Sequence, residues 1–364
     1  MESDDSKLRM LADRACRQWP ALFEARRQAS EVKGAIEAAI RSKHGGLGED
    51  LDFVLFGSLA RQEWTSGSDV DWAILIDGQS NPDHQATSRK IADILQTVTI
   101  GGEPLRTPGS TGVFGELVFS HELVHLVGGD TDSNHNLTRR MLLLLESCPA
   151  GIDGNSGTAW TRVIRQIVDR YINNANLFQN PEFDVPRFLL NDLIRFWRTM
   201  CVDFAWKEWE QGERKWAIRN VKLRMSRKLT FAAGLLNLLA DKSWLNEGDK
   251  PIASEFWGMH NRFIHEMLGV GCSGVPASEV IAGICGKLNL DKYAGRLFDY
   301  YDAYLMLLND PVKRRRLENL NQNQHSSDEC FQEFRTISHR FQEVLEEIFF
   351  DSSISVRTRK YGLF

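Results

Sequence analysis

FGSLARQEWTSGSDVDW, at residues 56–72, is the stretch that decides the fold. It begins at the end of one short apolar run, LDFVLF at residues 51–56, and ends at the start of another, WAILI at residues 72–76. Short apolar runs bounded by turn-forming residues predict buried strands. We therefore expect two neighbouring strands, with a Gly57-Ser58 turn ending the first and Asp69-Val70-Asp71 opening the second.

The two aspartates are the first candidate site residues. Because side chains alternate along a strand, Asp69 and Asp71 share one face while Val70 enters the core. Two carboxylates this close repel each other, and a bound divalent cation removes the repulsion. Mg²⁺ prefers carboxylate oxygens, and a pair of such ions serves phosphoryl transfer to a hydroxyl. The pattern predicts metal ligands with a catalytic role, with Mg²⁺ as cofactor and Mn²⁺ as its alternative; a solvated strand start is the competing interpretation.

The Gly-Ser turn is a candidate nucleotide-binding element. Gly57 permits the backbone to approach a phosphate closely, because it has no side chain. The Ser58 hydroxyl and the neighbouring N–H groups can donate hydrogen bonds to that phosphate, especially where a helix follows.

At these residues the sequence resembles the polymerase-beta-like superfamily of nucleotidyltransferases. The superfamily pattern is Gly-Ser, a spacer similar to the ten residues found here, and Asp-hydrophobic-Asp. The resemblance implies an α+β fold, in which a small mixed-sheet nucleotidyltransferase domain is followed by a larger α-helical domain. It also implies transfer of a nucleoside monophosphate from a nucleoside triphosphate to a hydroxyl, and a third carboxylate on a later strand. Glu116 is the first choice because GVFGELVF is apolar; Glu122 is the alternative and Glu103 the third candidate.

Three further residues extend the likeness to the uridylyltransferases of nitrogen-signalling proteins. That branch carries Gly-x-Gly-Arg-x-Glu-x-x-x-x-Ser-Asp-hydrophobic-Asp, and Arg61, Glu63 and Ser68 match it. Ser58 and Ala60 stand where the branch has glycine.

A competing motif occurs at residues 121–125. His121, Glu122 and His125 form H-E-x-x-H, which on a helix can bind Zn²⁺ with the glutamate as base. Thr131 stands where the longer zinc-protease pattern has its third histidine, and Gly128-Gly129 closes the segment at once. A zinc metalloprotease is therefore the distant alternative, and structural or pocket-lining histidines are the expected interpretation.

The second part of the chain has the apolar periodicity of helices almost to its end. A change from mixed to all-helical patterning indicates a domain boundary. We expect N-terminal helices at residues 1–44, the nucleotidyltransferase domain at 45–140, an α-helical domain at 141–350 and a C-terminal tail at 351–364.

The basic run RNVKLRMSRK in the helical half is the candidate contact for the triphosphate that the resemblance implies. Arg219, Lys222 and Ser226 fall on one face of a regular α-helix, which predicts a shared role in nucleotide binding. A solvated basic helix face is the alternative. Arg139 and Arg140, at the start of another predicted helix, are further candidates for the same cleft.

The composition narrows the class of protein. A 364-residue chain with 42% hydrophobic and 26% charged residues is typical of globular proteins. Its net charge of −5 requires any contact with phosphate to be local. The six cysteines are scattered, which argues against a cysteine zinc site. With no signal-like start and no membrane-length apolar stretch, we expect a cytoplasmic protein that is not itself membrane-embedded.

The motif variant, the helical half and the chain end together resemble the nucleotidyltransferases of Hailong-type anti-phage defence systems. That likeness implies synthesis of single-stranded DNA oligomers from dATP, and a partner membrane effector protein that the oligomers control. A protein acceptor would instead make the chain an AMP or UMP transferase, and a nucleotide acceptor would make it a cyclic or linear second-messenger synthase. A nucleotidyltransferase fold used only for binding is the non-enzymatic alternative.

The chain end, SISVRTRKYGLF, contains a candidate primer hydroxyl. Synthesis without a nucleic-acid primer needs a hydroxyl acceptor, and the phenol of Tyr361 on a mobile tail can supply one. The neighbouring Arg357, Arg359 and Lys360 would draw such a tail toward phosphate. The alternative is that Tyr361 packs the last segment onto the helical domain.

Overall fold

The structure, a computed structural model, describes residues 6–106, 114–174, 185–210, 215–240 and 274–362. The chain forms two compact units. The sheet unit comprises Ala25–Pro181 and Gly269–Pro276, and the helical unit comprises Met1–Glu24, Glu182–Leu268 and Ala277–Phe364.

In chain order the described elements are α1 (Lys7–Ala15), α2 (Pro20–Lys43), β1 (Leu51–Leu55), α3 (Gly57–Ala60), β2 (Trp72–Ile76), α4 (Asp83–Gln96), β3 (Thr99–Ile100), β4 (Glu103–Pro104), β5 (Glu116–Phe119), α5 (Ser120–His125), α6 (Asn134–Leu145), β6 (Cys148–Pro149), α7 (Thr158–Asn174), α8 (Arg187–Glu210), α9 (Trp216–Lys222), a π-helical turn (Leu223–Arg227), α10 (Lys228–Leu239), α11 (Ala277–Lys287), α12 (Asp291–Asn309), α13 (Pro311–Asn319), a 3₁₀ turn (Gln322–Gln324), α14 (Glu329–Phe350) and α15 (Ser355–Tyr361). The two strands predicted around the aspartate motif are confirmed as β1 and β2.

A mixed sheet forms the centre of the sheet unit. Its strand order is β5-β2-β1-β6, with β1 antiparallel to both β2 and β6 and β2 parallel to β5. Strands β3 and β4 form a separate two-stranded hairpin. The predicted fold class is confirmed: a small mixed sheet with a nucleotidyltransferase motif is followed by a helical region.

The two faces of the sheet are both covered, because successive side chains point to opposite sides. Phe53, Leu55, Trp72 and Ile74 belong to a core cluster that includes buried residues of α2 and α4. On the other face, Val54, Ala73, Leu75 and Val118 line a recess together with residues of α5 and α6. Burial on both faces explains why WAILI is continuously apolar rather than alternating.

The boundaries of the two compact units differ from the domain boundary that the change in sequence pattern predicts. Helix α7 packs on β1 and β2, so the sheet unit continues beyond residue 140 to Pro181. Strand β6 also joins the sheet through Cys148, although two residues are too few to be recognised as a strand from sequence. Helices that cover a sheet have the same apolar periodicity as helices of an all-helical domain, which is why the sequence does not separate them.

Helix α1 lies in the helical unit, where it packs against α11 and α12. The core of this unit includes the fully buried Tyr301, Tyr304, Phe334 and Phe341. Helix α14 packs along α12, and α15 packs against α14 and α10. Within the part of the chain that the structure describes, no helix combines the length and the apolar character needed to cross a membrane.

Candidate active site

Gly57 and Asp71 are in direct contact at the entrance of β2. Gly57 has φ +63°, a left-handed conformation that favours glycine, and it is buried. A Cβ at this position would overlap Asp71 Oδ2 and lie 3.3 Å from Asp71 Cγ. The Phe56 N–H also donates to the Asp71 carbonyl oxygen at 2.9 Å. Glycine is therefore required for both the turn and the position of this carboxylate.

Asp69 and Asp71 keep the predicted alternation, although β2 itself begins at Trp72. Val70 is fully buried, whereas Asp69 is exposed and Asp71 is half-buried. The Val70 N–H donates to the Arg106 carbonyl oxygen at 2.8 Å, and Asp69 forms a parallel bridge with Arg106. These backbone bonds hold the aspartate segment in an extended conformation.

Glu116 lies on β5, directly beside β2. Its register partner is Ala73, two residues after Asp71, and neighbouring strands lie about 4.8 Å apart. Alternation along β2 puts the side chains of Ala73 and Asp71 on one face, and the parallel register puts Glu116 on that face too. The sheet thus brings the first choice for the third carboxylate to the same face as Asp71.

Glu116 is paired with Arg139 of α6. Arg139 Nη2 donates to Glu116 Oε2 at 2.5 Å, and the arginine side chain is 9% exposed whereas the glutamate is 55% exposed. Arg139 Nε is buried and has no hydrogen-bond partner among the described residues. Arg139 is therefore committed to this pair, while the carboxylate of Glu116 is accessible to a second partner.

The other two candidates for the third carboxylate lie elsewhere in the sheet unit. Glu122 is on α5, after the end of β5. Glu103 is on β4 of the separate hairpin, where it is exposed. Only Glu116, of these three, has a strand position next to β2.

The residues present fit a divalent cation of the Mg²⁺ type by their chemistry. Asp69, Asp71 and Glu116 offer only carboxylate oxygens, and Gly57 leaves the space into which the Asp71 carboxylate projects. In the described parts of the chain, no three His, Cys, Asp or Glu side chains are already gathered at metal-ligand spacing. The Glu116 carboxylate instead accepts a hydrogen bond from Arg139.

The loop between α3 and β2 is braced by the residues that match the uridylyltransferase pattern. Arg61 Nε donates to Glu63 Oε2 at 2.9 Å and Arg61 Nη1 to Glu146 Oε2 at 2.6 Å, and all three side chains are largely buried. The Ser68 N–H donates to the Thr65 carbonyl oxygen at 2.9 Å. These contacts shape the loop that carries the aspartates.

Part of the candidate site lies in a stretch that matches a known protein family. The family model of the nucleotidyltransferase domain matches residues 35–99, which include Gly57, Ser58, Asp69 and Asp71. This stretch resembles a nucleotidyltransferase domain. The match supports a transferase that moves a nucleoside monophosphate, although it covers well under half of the chain and leaves out Glu116 and the helical unit. A search of curated proteins found no significant match.

The histidines of the competing zinc motif lie just after the nucleotidyltransferase match. His121 and His125 share α5, with ring centroids 5.0 Å apart, and both are exposed. The helix ends at His125, as the following glycines predicted. The described residues offer no third ligand gathered with this pair.

Arg140, the other arginine proposed from sequence to face the cleft, has structural partners that the sequence did not reveal. Arg140 is fully buried: Nη2 donates to Asp132 Oδ2 at 2.7 Å, and Nε donates to the Tyr171 hydroxyl at 2.8 Å. Burial lowers the pKa of Arg140, but the hydrogen bonds and the charge of Asp132 outweigh that effect, so the pKa is raised. Arg140 therefore does not face a cleft, in contrast to the hypothesis made from sequence.

Asp52 is a buried carboxylate that the sequence analysis did not single out. Its two oxygens accept the backbone N–H groups of Gly157 at 2.6 Å and Trp160 at 2.7 Å, at the beginning of α7. Burial raises the pKa of Asp52, and these two hydrogen bonds act in the opposite direction. Its signal in the sequence is a charged residue inside the apolar run of β1.

The candidate nucleotide-binding residues of the helical unit lie around the π-helical turn. Arg219 and Lys222 are on α9 and half-buried. Ser226 lies within the turn, is 4% exposed, and has its hydroxyl 2.8 Å from the Tyr304 hydroxyl. The assumption of a regular α-helix through Ser226 is wrong, because a π turn changes the angle between successive residues. Ser226 packs into the unit's core.

Tyr361 is on α15 rather than on an extended tail. Its ring is 7% exposed and lies near Arg187, Arg357 and Lys360, with cation-to-centroid distances of 5.7, 5.8 and 4.9 Å. This placement agrees with the packing alternative. Two of the basic neighbours that were expected to draw a tail toward phosphate, Arg357 and Lys360, instead lie near the ring itself, and Arg359 Nη2 donates to the Phe350 carbonyl oxygen at 3.1 Å.

Proposed function

We propose that the protein is a Mg²⁺-dependent nucleotidyltransferase, which transfers a nucleoside monophosphate from a nucleoside triphosphate to a hydroxyl acceptor. The observation that carries the proposal is the contact between Gly57 and Asp71, because it places a carboxylate directly over a glycine turn. It stands within the matched nucleotidyltransferase domain.

Asp69, Asp71 and Glu116 are the residues that would hold the divalent cations, with Mn²⁺ as the alternative to Mg²⁺. Such ions supply activation of the acceptor hydroxyl and neutralise charge on the triphosphate. Gly57 keeps the turn free of a side chain, and the Ser58 hydroxyl donates to a phosphate oxygen. Glu116 would join the two aspartates as a ligand and would then no longer be paired with Arg139.

Two basic residues of the helical unit are proposed for binding phosphate, as the basic run predicts. They are Lys222, the first choice, and Arg219, both on α9. Ser226 was proposed with them from the sequence, but its hydroxyl is 2.8 Å from the Tyr304 hydroxyl inside the core. Its contribution is accordingly to fix the shape of the π turn between the basic residues.

The molecule that supplies the acceptor hydroxyl is a separate proposal. On the resemblance to the Hailong-type enzymes, the product is a single-stranded DNA oligomer made from dATP without a template. Such an oligomer would act on a partner membrane effector protein in anti-phage defence. Transfer to a protein, or formation of a cyclic or linear nucleotide messenger, are the other acceptors to be separated by experiment.

The experiment incubates the purified full chain with each common ribonucleoside and deoxyribonucleoside triphosphate in turn, with Mg²⁺, and resolves products by size before and after protease treatment. The proposal expects a ladder of protease-resistant oligomers from dATP, together with pyrophosphate. A single protease-sensitive labelled band would identify a protein acceptor, and a single small product would identify a messenger synthase. Absence of pyrophosphate with every triphosphate, with Mg²⁺ and with Mn²⁺, would overturn nucleotide transfer.

A further inference from the structure

Arg139 lies at an apolar recess on the same face of the sheet as Asp71. The recess is lined mainly by aliphatic and aromatic side chains of the sheet, α5 and α6, and among these described residues Arg139 alone carries a charge. Its side chain is 9% exposed, and its Nε has no hydrogen-bond partner among the described residues. A guanidinium in apolar surroundings costs free energy unless a carboxylate neutralises it.

Glu116 is the carboxylate that neutralises Arg139. Arg139 Nη2 donates to Glu116 Oε2 at 2.5 Å, yet the glutamate side chain is 55% exposed. Its position on β5, opposite Ala73, puts it on the same face of the sheet as Asp71. The two partners therefore differ in freedom, because the glutamate can turn to solvent or to a ligand whereas the arginine lies in the protein interior.

Helix α6 is fixed at Arg139 by the next residue in the chain. Arg140 is fully buried, and it donates to Asp132 Oδ2 at 2.7 Å and to the Tyr171 hydroxyl at 2.8 Å. The second of these bonds joins α6 to α7. A guanidinium on a helix anchored in this way stays in place when its exposed partner moves.

The charge of Arg139 opposes the binding of a divalent cation in two ways. The guanidinium holds Glu116 Oε2, so it competes for a carboxylate through which Mg²⁺ or Mn²⁺ would bind. The same positive charge repels a second cation nearby, and this repulsion is stronger in a partly dry site than in water. Removal of the charge should therefore favour binding of the cation.

We infer that Arg139 is a positioning residue, which holds Glu116 as an internal counter-ion and thereby weakens the affinity of the carboxylate site for divalent cations. The inference rests on the proposed function, because it requires Asp69, Asp71 and Glu116 to bind the cation. It assigns Arg139 no contact with the triphosphate. Arg139 instead determines how readily Glu116 becomes the third ligand, so that a free cation alone loads the site weakly.

The test measures Mn²⁺ binding to the full-length protein by electron paramagnetic resonance, without nucleotide, and records the thermal unfolding of each variant. Arg139→Gln removes the charge, Glu116→Gln removes its partner, and a double variant combines the two changes. Arg162→Gln is the matched control, because Arg162 is also an ion-paired arginine of the sheet unit, with Asp77 at 2.7 Å. Asp69→Asn tests the metal site itself.

Arg139→Gln is expected to bind Mn²⁺ about tenfold more tightly than wild type, because a charge-assisted hydrogen bond no longer competes for the carboxylate. Most of this gain should disappear when Glu116→Gln is also present, since the competition requires the Glu116 carboxylate. Arg162→Gln should bind Mn²⁺ as wild type does. If Arg139 merely supports the fold, Arg139→Gln unfolds at a lower temperature and binds Mn²⁺ less tightly, which would overturn the inference.

Failure of the inference can be told apart from failure of the proposed function. Mn²⁺ binding that is weakened by Asp69→Asn but unchanged by Arg139→Gln would overturn the role of Arg139 and leave the metal site in place. A full gain from Arg139→Gln in the Glu116→Gln background would also overturn it, because competition for that carboxylate would not be the cause. Equal Mn²⁺ binding by wild type and Asp69→Asn would remove the metal site, and the proposed function with it.

Discussion

The Asp71 carboxylate occupies the position beside Gly57 into which a side chain at Gly57 would project. This single contact links two motifs that are separated along the chain: the turn after β1 and the start of β2. It explains why a glycine, rather than another small residue, ends the first strand. A serine or alanine there would meet both an unfavourable φ and a carboxylate.

Replacing Gly57 by alanine is predicted to disrupt the site more than the fold. The left-handed φ costs about 1–2 kcal/mol for a residue with a Cβ, and the Cβ displaces the Asp71 carboxylate. Nucleotide transfer should be lost while far-ultraviolet circular dichroism stays that of wild type. Gly34→Ala is the control: Gly34 lies in α2 with open space around its Cα, so alanine should stabilise the protein by about 0.5–1 kcal/mol and leave transfer unchanged. Full transfer by Gly57→Ala would contradict the assigned role of this contact.

Glu116 and Glu122 can be separated by matched substitutions. Glu116→Gln is predicted to weaken Mn²⁺ binding, measured by electron paramagnetic resonance, and to reduce transfer, because Glu116 lies on the strand beside β2. Glu122→Gln, on α5, should change neither quantity. The reverse result would assign the third carboxylate to Glu122.

Arg61 is predicted to stabilise the loop that carries the aspartates. Arg61→Gln leaves the carboxylates of Glu63 and Glu146, which are 2% and 9% exposed, without their shared cation. Loss of one partner from a buried ion pair costs about 3–5 kcal/mol, whereas an exposed pair contributes at most about 1 kcal/mol. Urea unfolding should therefore show a large loss for Arg61→Gln and almost none for Arg340→Gln, which breaks an exposed pair. Equal stability of the two variants would contradict this assignment.

The fold class and the positions of the aspartates could be predicted because they depend on local signals. A buried strand needs a short apolar run, and a Gly-Ser turn followed by Asp-x-Asp leaves few arrangements. The strand position of Glu116 could be predicted for the same reason, because the residues around it are apolar. Its pairing with Arg139 could not be predicted, because the two residues belong to different elements and only the packing of α6 on the sheet brings them together.

The helical half was less predictable from sequence. A π turn has no clear signature, since its residues are ordinary helix formers, and it changes which side chains share a face. Ser226 was therefore assigned to the wrong face.

The place of Tyr361 in α15 leads to a test of the priming hypothesis. Because its ring is buried among basic side chains, Tyr361→Phe should retain wild-type synthesis, with all product free of protein. Tyr361→Ala should lose about 3 kcal/mol of stability through the cavity that it leaves. Product covalently attached to the wild-type chain, and absent from Tyr361→Phe, would instead establish the phenol as the primer.

The central claim is that Asp69 and Asp71 hold the cations for nucleotide transfer, and release of pyrophosphate by their asparagine variants tests it most directly. The assay compares wild type, Asp69→Asn, Asp71→Asn and the control Asp93→Asn, an exposed carboxylate on α4. The substrate is the triphosphate that gives the highest rate with wild type. We predict that both site variants fall by at least about 100-fold while unfolding cooperatively, and that Asp93→Asn is unchanged. Pyrophosphate release near the wild-type rate by either site variant would contradict the account.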